Sequence, residues 1–599
     1  IEKIEIIGFE KKYTTRFDGY ILLNTMYYVF DDQGVSSELY TGKIVRTELF
    51  DDIYYYEQSD LGSSYRRDRT KFKLWTPVAK YIKLELIDKS GNLEVHDMEY
   101  DNQGVWYLRL RGDYEGFKYR YISYVNGKEH KLTDPYGKSS TANAEYSYVI
   151  DEDKLYKMQQ QRPKFSGIPT DAVIYEAHVR DFTIDKSINS TYPGLYKGFS
   201  EENRKTNAGN KAGIDYLEEL GITHVQLLPI YDFGGVDELN PDKLYNWGYN
   251  PEQYNVPEGW YSTNPNDPYA RINELRELID NLHKHNLRVV MDVVFNHVYD
   301  IKKFPFEKII PGYAYRFDET GHLTNSSGCD SDFATERKMI RKFVMDSVLF
   351  WAKEYKIDGF RFDLMGLIDI KTMNTLRQKL DRFRKDIIVY GEGWRMNTSI
   401  GDQNAAHMYN KHLLFNIGHF NDKTREVLKG ATFNMKQKGY ALGSNANPGD
   451  VKNIIQGSAL NKFLFRYPSQ SVNYVECHDN NTFFDKATLA MPEASIDEIK
   501  KRQKLATSMI ILSQGIPFIH AGQEFFRSKK GVENSYKSPD SINHINWNLV
   551  DENLEEINSV KELIRIRRKY DLFRHTAPSK VRDTVNVIFH DNGTIIYNL

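Results

Sequence analysis

Two patterns of hydrophobic placement divide this chain. Between about residues 52 and 160, apolar residues recur at every second position in Phe72-Lys-Leu-Trp-Thr-Pro77, Tyr81-Ile-Lys-Leu-Glu-Leu86, Val105-Trp-Tyr-Leu-Arg-Leu110 and Phe117-Lys-Tyr-Arg-Tyr-Ile122. A strand with one buried face has that period, so the segment 52–160 predicts a β-sandwich of antiparallel strands. Residues 1–51 predict a smaller β-rich segment, and 151–167, with its Lys, Gln and Pro, a linker. From about 170 the alternation disappears. Apolar runs at 172–177, 222–229, 288–295, 359–363, 387–391, 413–417, 473–476 and 516–520 predict strands buried on both faces. Amphipathic helices are expected between several of them, at 270–285, 335–356 and 496–513. Eight such units predict a closed parallel barrel over 161–534, and no Gly-x-Gly-x-x-Gly opens a helix after the first strand. After about 535 strands return, predicting a C-terminal β-sheet domain over 535–599 that ends in two strands joined at Asn592-Gly593, the second cut off. The expected fold class is multidomain: a central (β/α)8 TIM barrel flanked by N-terminal β-sandwich module(s) and a C-terminal β-sheet domain.

Composition narrows the function. Hydrophobic residues make up 40% of 599 and charged residues 27%, as in globular proteins. The net charge of -3 comes from 80 Lys and Arg against 83 Asp and Glu, without a long basic run. That balance excludes a nucleic-acid or anionic-membrane partner and favours a neutral substrate. No apolar stretch approaches the roughly 20 residues of a membrane helix. Cys329 and Cys477 are the only cysteines, which leaves no disulfide framework and no zinc spacing. The chain opens at Ile1 without an initiator Met or signal peptide, and both ends read as incomplete. A cytoplasmic monomer is the expectation.

Chemistry gathers where the barrel strands end. Strand three carries Asp292 and runs on to Asn296 and His297, and Arg361 and Asp363 close strand four. Glu392 and Trp394 follow strand five; His478 and Asp479 follow strand seven. Barrel active sites occupy this C-terminal face. Each residue alone has an ordinary reading: a helix cap for Asp292 or Asp363, a solvated acid for Glu392, a structural histidine for His297. Four strand ends carrying acids beside Arg, His and Asn do not reduce to those readings. The set fits glycoside hydrolysis, which needs one ionised carboxylate as nucleophile and a second carboxyl as proton donor. Asp363 beside Arg361 suits the nucleophile, and Glu392 beside Trp394 suits the acid/base. Asp479 suits the support of developing positive charge, and His297 and His478 suit donation to sugar hydroxyls. Tyr245-Asn246-Trp247-Gly248-Tyr249-Asn250-Pro251 adds rigid aromatic faces and amide hydrogen bonds, which suit a sugar. The competing reading of that segment is a loop that merely packs its aromatics.

These segments resemble a known family. Asp292-Val-Val-Phe-Asn-His297, Gly359-Phe-Arg-Phe-Asp363, Gly391-Glu-Gly-Trp394 and Val475-Glu-Cys-His-Asp479 are similar to the four signature regions of the α-amylase superfamily. Tyr245 to Pro251 resembles the signature of type I pullulanases, as do Asp363-Leu-Met-Gly366 and Tyr175-Glu-Ala-His-Val-Arg-Asp181. The resemblance spans roughly 50–599. It implies a retaining debranching hydrolase of α-1,6-glucosidic bonds in pullulan, glycogen, amylopectin or limit dextrins. Asp363 would be nucleophile, Glu392 acid/base and Asp479 transition-state stabiliser. Asp292, His297, Arg361, His478, Trp394, Tyr245, Asn246, Trp247, Tyr249 and Asn250 would bind substrate. Residues 52–155 resemble a starch-binding-like module, with Trp75 expected in its core. Leu364-Met365-Gly366 departs from the Lys-His pair that α-amylases place there, so a structural calcium on Asn296 is not supported and no cofactor is required. The alternatives are an amylopullulanase or neopullulanase that also cuts α-1,4 bonds, and a non-catalytic glycan-binding barrel.

Overall fold

The computed structural model describes residues 4–7, 12–15, 21–460, 464–590 and 593–599. Two hairpins, Ile4–Ile7 with Lys12–Thr15 and Tyr28–Phe30 with Ser36–Glu38, precede a short helix at Glu48–Tyr54. The sandwich follows. Gly62–Arg66, Arg69–Trp75, Val105–Arg111 and Glu99–Tyr100 form one antiparallel sheet. Lys128–Leu132, Lys118–Val125, Tyr81–Ile87 and Leu93–Asp97 form the other, with Ser147–Tyr148 paired to its second strand. Burial switches at every residue of Lys118–Val125, and the inward side chains Phe72, Leu84, Leu86, Tyr119 and Tyr121 are fully buried. Trp75 belongs to this core: its indole N–H is shared by the carbonyls of Tyr54 (2.9 Å) and Gln103 (3.1 Å). The sandwich is tied to the barrel where Thr76 and Ser123 donate to the carbonyls of Ile309 (2.6 Å) and Lys308 (2.9 Å).

The barrel closes from eight parallel strands: β1 Ile174–Ala177, β2 His224–Leu227, β3 Arg288–Val293, β4 Gly359–Phe362, β5 Ile388–Gly391, β6 Gly418–Phe420, β7 Ser471–Asn473 and β8 Ile516–His520. Every residue in them is buried, because helices cover the outside and side chains fill the inside. The register sets Asp292 beside Arg361 and Arg361 beside Tyr390, and sets Glu176 beside Gln226. Polar side chains of neighbouring strands therefore meet inside the barrel.

Three expectations need correction. The sixth strand begins at Gly418, after the apolar run 413–417, in which Leu413 and Phe415 are exposed. Hydrophobicity there marks a surface loop, which period alone does not distinguish from a strand. The seventh strand is Ser471–Asn473 rather than 473–476, so its polar end is a loop of the mouth. Strands do not return at 535. Asp540–Asn543, Asn548–Glu552, Leu554–Lys569 and Pro578–Thr584 are helices, and Leu554–Lys569 buries Ile557, Val560 and Ile564 against the barrel's outer helices. The C-terminal sheet is the pair Asn586–Phe589 and Ile595–Asn598; Asn592 of the expected turn lies outside the described residues. Among the described residues no helix is long and apolar enough to cross a membrane.

Candidate active site

One guanidinium organises the mouth of the barrel. Arg361, only 1% exposed, points inward from β4, where period two also brings Asp363. Its Nη1 lies 3.0 Å from Asp292 Oδ1 and 2.9 Å from Asp363 Oδ1, and its Nη2 lies 2.7 Å from Glu392 Oε1. Two candidate catalytic carboxylates thus sit on the two terminal nitrogens of one planar fork. Asn296 fixes the first of them, donating to Asp363 Oδ2 (2.7 Å) and to its carbonyl (2.9 Å). Its side-chain oxygen lies 2.6 Å from His297 Nδ1, so both polar ends of Asn296 are used inside the site.

The backbone around these acids is specialised. Leu364, just past Asp363, has φ +40°, a left-handed conformation that non-glycine residues rarely adopt. That turn aims the Leu364 N–H at Glu392 Oε2 (3.1 Å). Gly366 follows because a Cβ there would sit 1.9 Å from the Trp394 carbonyl oxygen. A Cβ on Gly393 would sit 2.1 Å from His419 Nδ1, so only glycine lets the Glu392 loop lie down on β6.

Three carboxylates share one arginine, and burial decides the outcome. Removal from water pushes Glu392 up to about 7; Arg361 opposes this, and the negative charges of Asp363 and Asp479 add to it. Burial likewise raises Asp292 to about 7 against the pull of Arg361. A single cation does not offset the burial of Glu392 and Asp292, both of which rise against its pull. A carboxylate paired to arginine and asparagine beside an acid pushed up to about 7 fits the two roles, nucleophile and proton donor, that a retaining glycosidase requires.

The other predicted residues fall into three groups. Asp479 is half exposed at the rim, 3.8 Å from His478 Nε2. Trp394, Phe420, Arg425, Phe433 and the exposed Tyr409 line a cleft of about 510 Å³ that reaches Arg361, Glu392 and Asp479. From the heptapeptide only Tyr249 enters the catalytic network. Its hydroxyl donates to Asp292 Oδ2 (2.7 Å), and its ring stacks on His478 at 5.0 Å and 19°. Tyr245, Asn246 and Trp247 are buried and offer no face to a sugar, contrary to expectation. Tyr245 donates to Asp181 (2.8 Å), Asn246 accepts from the Gly248 N–H (3.0 Å), and Trp247 packs edge-on against His478 at 4.9 Å. Asn250 donates to the Gly234 carbonyl (3.1 Å). Their aromatic and amide character serves the packing of the loop. His297 likewise turns both ring nitrogens to protein oxygens: Nε2 to the Tyr249 carbonyl (2.9 Å) and Nδ1 to Asn296.

Sequence reasoning passed over Glu176 on β1, which faces His478. Its signal was there: a charged residue inside the fully apolar run 172–177 stays buried only if something pairs with it. Tyr409 and Phe433 had no such signal, since exposed residues of irregular segments obey no period, and Arg425 on the helix Asp422–Lys429 reads as an ordinary helix charge.

The chain was compared with known proteins. Residues 60–137 match the carbohydrate-binding module 48 (isoamylase N-terminal domain), and 196–310 with 300–562 match the α-amylase catalytic domain. The pullulanase of Bacillus subtilis strain 168 is 40% identical over 593 residues, covering 98% of this chain and 82% of that one. The chloroplastic pullulanase 1 of Arabidopsis thaliana is 29% identical, over 91% of this chain and 70% of that one. The crystal structure of the Anoxybacillus sp. LM18-11 pullulanase complexed with maltotriose superposes with a TM-score of 0.96 at 42% identity, covering 98% of this chain and 84% of that one. That of the B. subtilis type I pullulanase complexed with maltose gives 0.94 at 39%, over 96% and 81%. The β-sandwich, the closed barrel and this near full-length similarity place the chain in one family: it belongs to the type I pullulanases of the α-amylase family.

Proposed function

We infer that this chain is a debranching hydrolase that cleaves α-1,6-glucosidic bonds of pullulan, glycogen, amylopectin or limit dextrins with retention of configuration. The observation that carries the mechanism is the shared Arg361 fork, which holds Asp363 and Glu392 together where Arg361 and Glu392 line an aromatic-walled cleft. Asp363 attacks the anomeric carbon as Glu392 gives its proton to the departing glycosidic oxygen, leaving a glycosyl ester on Asp363. Glu392, now a carboxylate, takes a proton from water, whose oxygen displaces Asp363 and restores the enzyme. Asp479 at the rim faces the ring carbon as positive charge develops. None of these steps calls for a bound metal.

Digestion of pullulan, linear amylose and β-limit dextrin tests the reading. Maltotriose from pullulan with amylose intact is the expected result. Panose or broken amylose would reassign the chain to α-1,4 cleavage, and absence of products to glycan binding alone. We further propose that it works as a monomer, since one chain supplies the whole site. Two free cysteines, one exposed and one buried, suit a reducing cytoplasm.

A further inference from the structure

We propose that Glu176, outside the reacting carboxylates, is a positioning residue that holds His478 as an imidazolium with Nε2–H directed at the bound sugar; the proposal rests on the hydrolase reading above. Glu176 is 1% exposed. Its Oε2 accepts the His478 backbone N–H at 2.7 Å, and its Oε1 lies 2.8 Å from His478 Nδ1. An ionised carboxylate only accepts, so Nδ1 must carry a proton and Nε2 is the nitrogen left for the cleft. Nε2 points to the mouth, 3.8 Å from Asp479 Oδ2.

Glu176 is itself held. Gln226 Nε2 donates to its Oε1 (3.1 Å), and the Tyr390 hydroxyl donates to Gln226 Oε1 (2.5 Å). This chain crosses the barrel interior from β5 through β2 to β1, and each donor points toward the carboxylate. On the other side of the histidine, buried Lys529 donates to the His478 carbonyl (2.9 Å) beneath the ring of Trp247 (4.8 Å). The ring is therefore fixed at its nitrogen, both its backbone groups and its faces. The groups facing it are Glu176, Asp292 and Asp479, the cations Arg361 and Lys529, and Tyr249 and His520. Burial lowers the imidazole pKa, but Glu176 and Asp479 overcome it and hold His478 above its usual range.

The test is Glu176→Gln in the full chain, assayed on pullulan from pH 5 to 8 beside wild type. Glutamine still accepts from the His478 backbone but brings no charge. The expected loss in kcat/KM grows with pH, from about 10-fold at pH 5 to about 100-fold at pH 8, because the imidazole loses its proton as pH rises. Glu176→Asp should restore the shape of the wild-type profile. If Glu176→Gln fails to fold, Gln226→Met, which removes only the donor to Glu176, must give a smaller loss with the same slope. A loss equal at every pH, or no loss, overturns the proposal. An inactive wild type overturns the hydrolase reading and the proposal with it.

Discussion

Two arginines in this barrel are each surrounded by three buried acids, and only one of them is at the reaction site. Arg361 gathers Asp292, Asp363 and Glu392. Arg271, fully buried, bonds Glu238 at 2.7 Å, and the charges of Asp232 and Glu258 favour its ionised form. Ligand-capable oxygens of Asp232, Glu238 and Glu258 lie within 4.8 Å of one another, and Asp232 and Glu238 floor a cleft of about 600 Å³ between sandwich and barrel, larger than the catalytic one. Burial raises Asp232 and Glu258 well above the carboxylate range, as it raises Glu392. Acid clustering, pKa displacement and cavity size therefore do not separate the two.

What separates them is where the acids sit, since in both clusters the protein occupies the oxygens: beside Arg361 the Tyr249 hydroxyl, Asn296 and the Leu364 N–H take those that the guanidinium leaves. At Arg271 the protein consumes the oxygens too: both Glu258 oxygens accept backbone N–H groups, from Phe233 (2.9 Å) and Trp260 (2.6 Å), and Asp232 accepts from Gln253 (2.6 Å). The arginine supplies the positive charge that a metal ion would bring elsewhere. At Arg361, Glu392 borders a cleft at the barrel mouth walled by Trp394 and Phe433, and Asp479 at the rim stays half exposed. The first cluster, between sandwich and barrel, is closed to the barrel mouth; the second is open to it.

The largest effect should come from breaking the open cluster. Asp363→Asn or Glu392→Gln should lower kcat on pullulan by about 1,000-fold or more, with the thermal midpoint changed by only a few degrees. Activity near wild type in either variant, in protein free of contaminating enzyme, would remove that residue from the mechanism. The closed cluster should respond the other way. Arg271→Met strands three buried acids, so it should destabilise the fold by about 3–5 kcal/mol while turnover per folded molecule stays within about 2-fold. Denaturant titration paired with active-site counting checks this, and a large loss of turnover without loss of stability would make the second cluster functional.

A smaller contrast lies inside the heptapeptide. Tyr249→Phe removes the hydroxyl that reaches Asp292, and should reduce kcat/KM about 10-fold with little change in stability. Tyr245→Phe, which loses the bond to buried Asp181, should lower stability by about 1–3 kcal/mol and leave kcat/KM nearly unchanged. Similar kinetic and stability profiles for the two would erase the distinction between scaffold and site.

That distinction also marks how far the sequence could be read. Asp292, Arg361, Asp363 and Glu392 were legible because barrel strands end in a defined place and alternation fixes which side chains share a face. The eight-unit barrel was legible for the same reason. The heptapeptide was legible as aromatic and polar, not as buried, since Trp247 in a core and Trp247 on a sugar have the same composition. The misplaced sixth strand is a similar case: apolar residues 413–417 include an exposed Phe415. Closure of the Arg271 network was invisible, because it depends on backbone N–H groups that every sequence has.

The smallest expected effect is on pH, and its direction follows from which proton the reaction uses. Glu392 must carry its proton to act as the acid, and burial pushes it up to about 7. It is protonated below that value and lost as the donor above it, so the alkaline limb of kcat/KM for pullulan should fall near pH 7. Arg361 opposes the rise, so weakening it should move the limb upward. Arg361→Lys keeps one charge but loses the fork that serves two acids at once, and should shift the limb to higher pH as well as slow the reaction. Arg271→Met leaves the mouth untouched, and its limb should coincide with that of wild type. A limb that moves equally in both variants would mean that the two buried clusters titrate together through the barrel, and the separation drawn from their positions would fail.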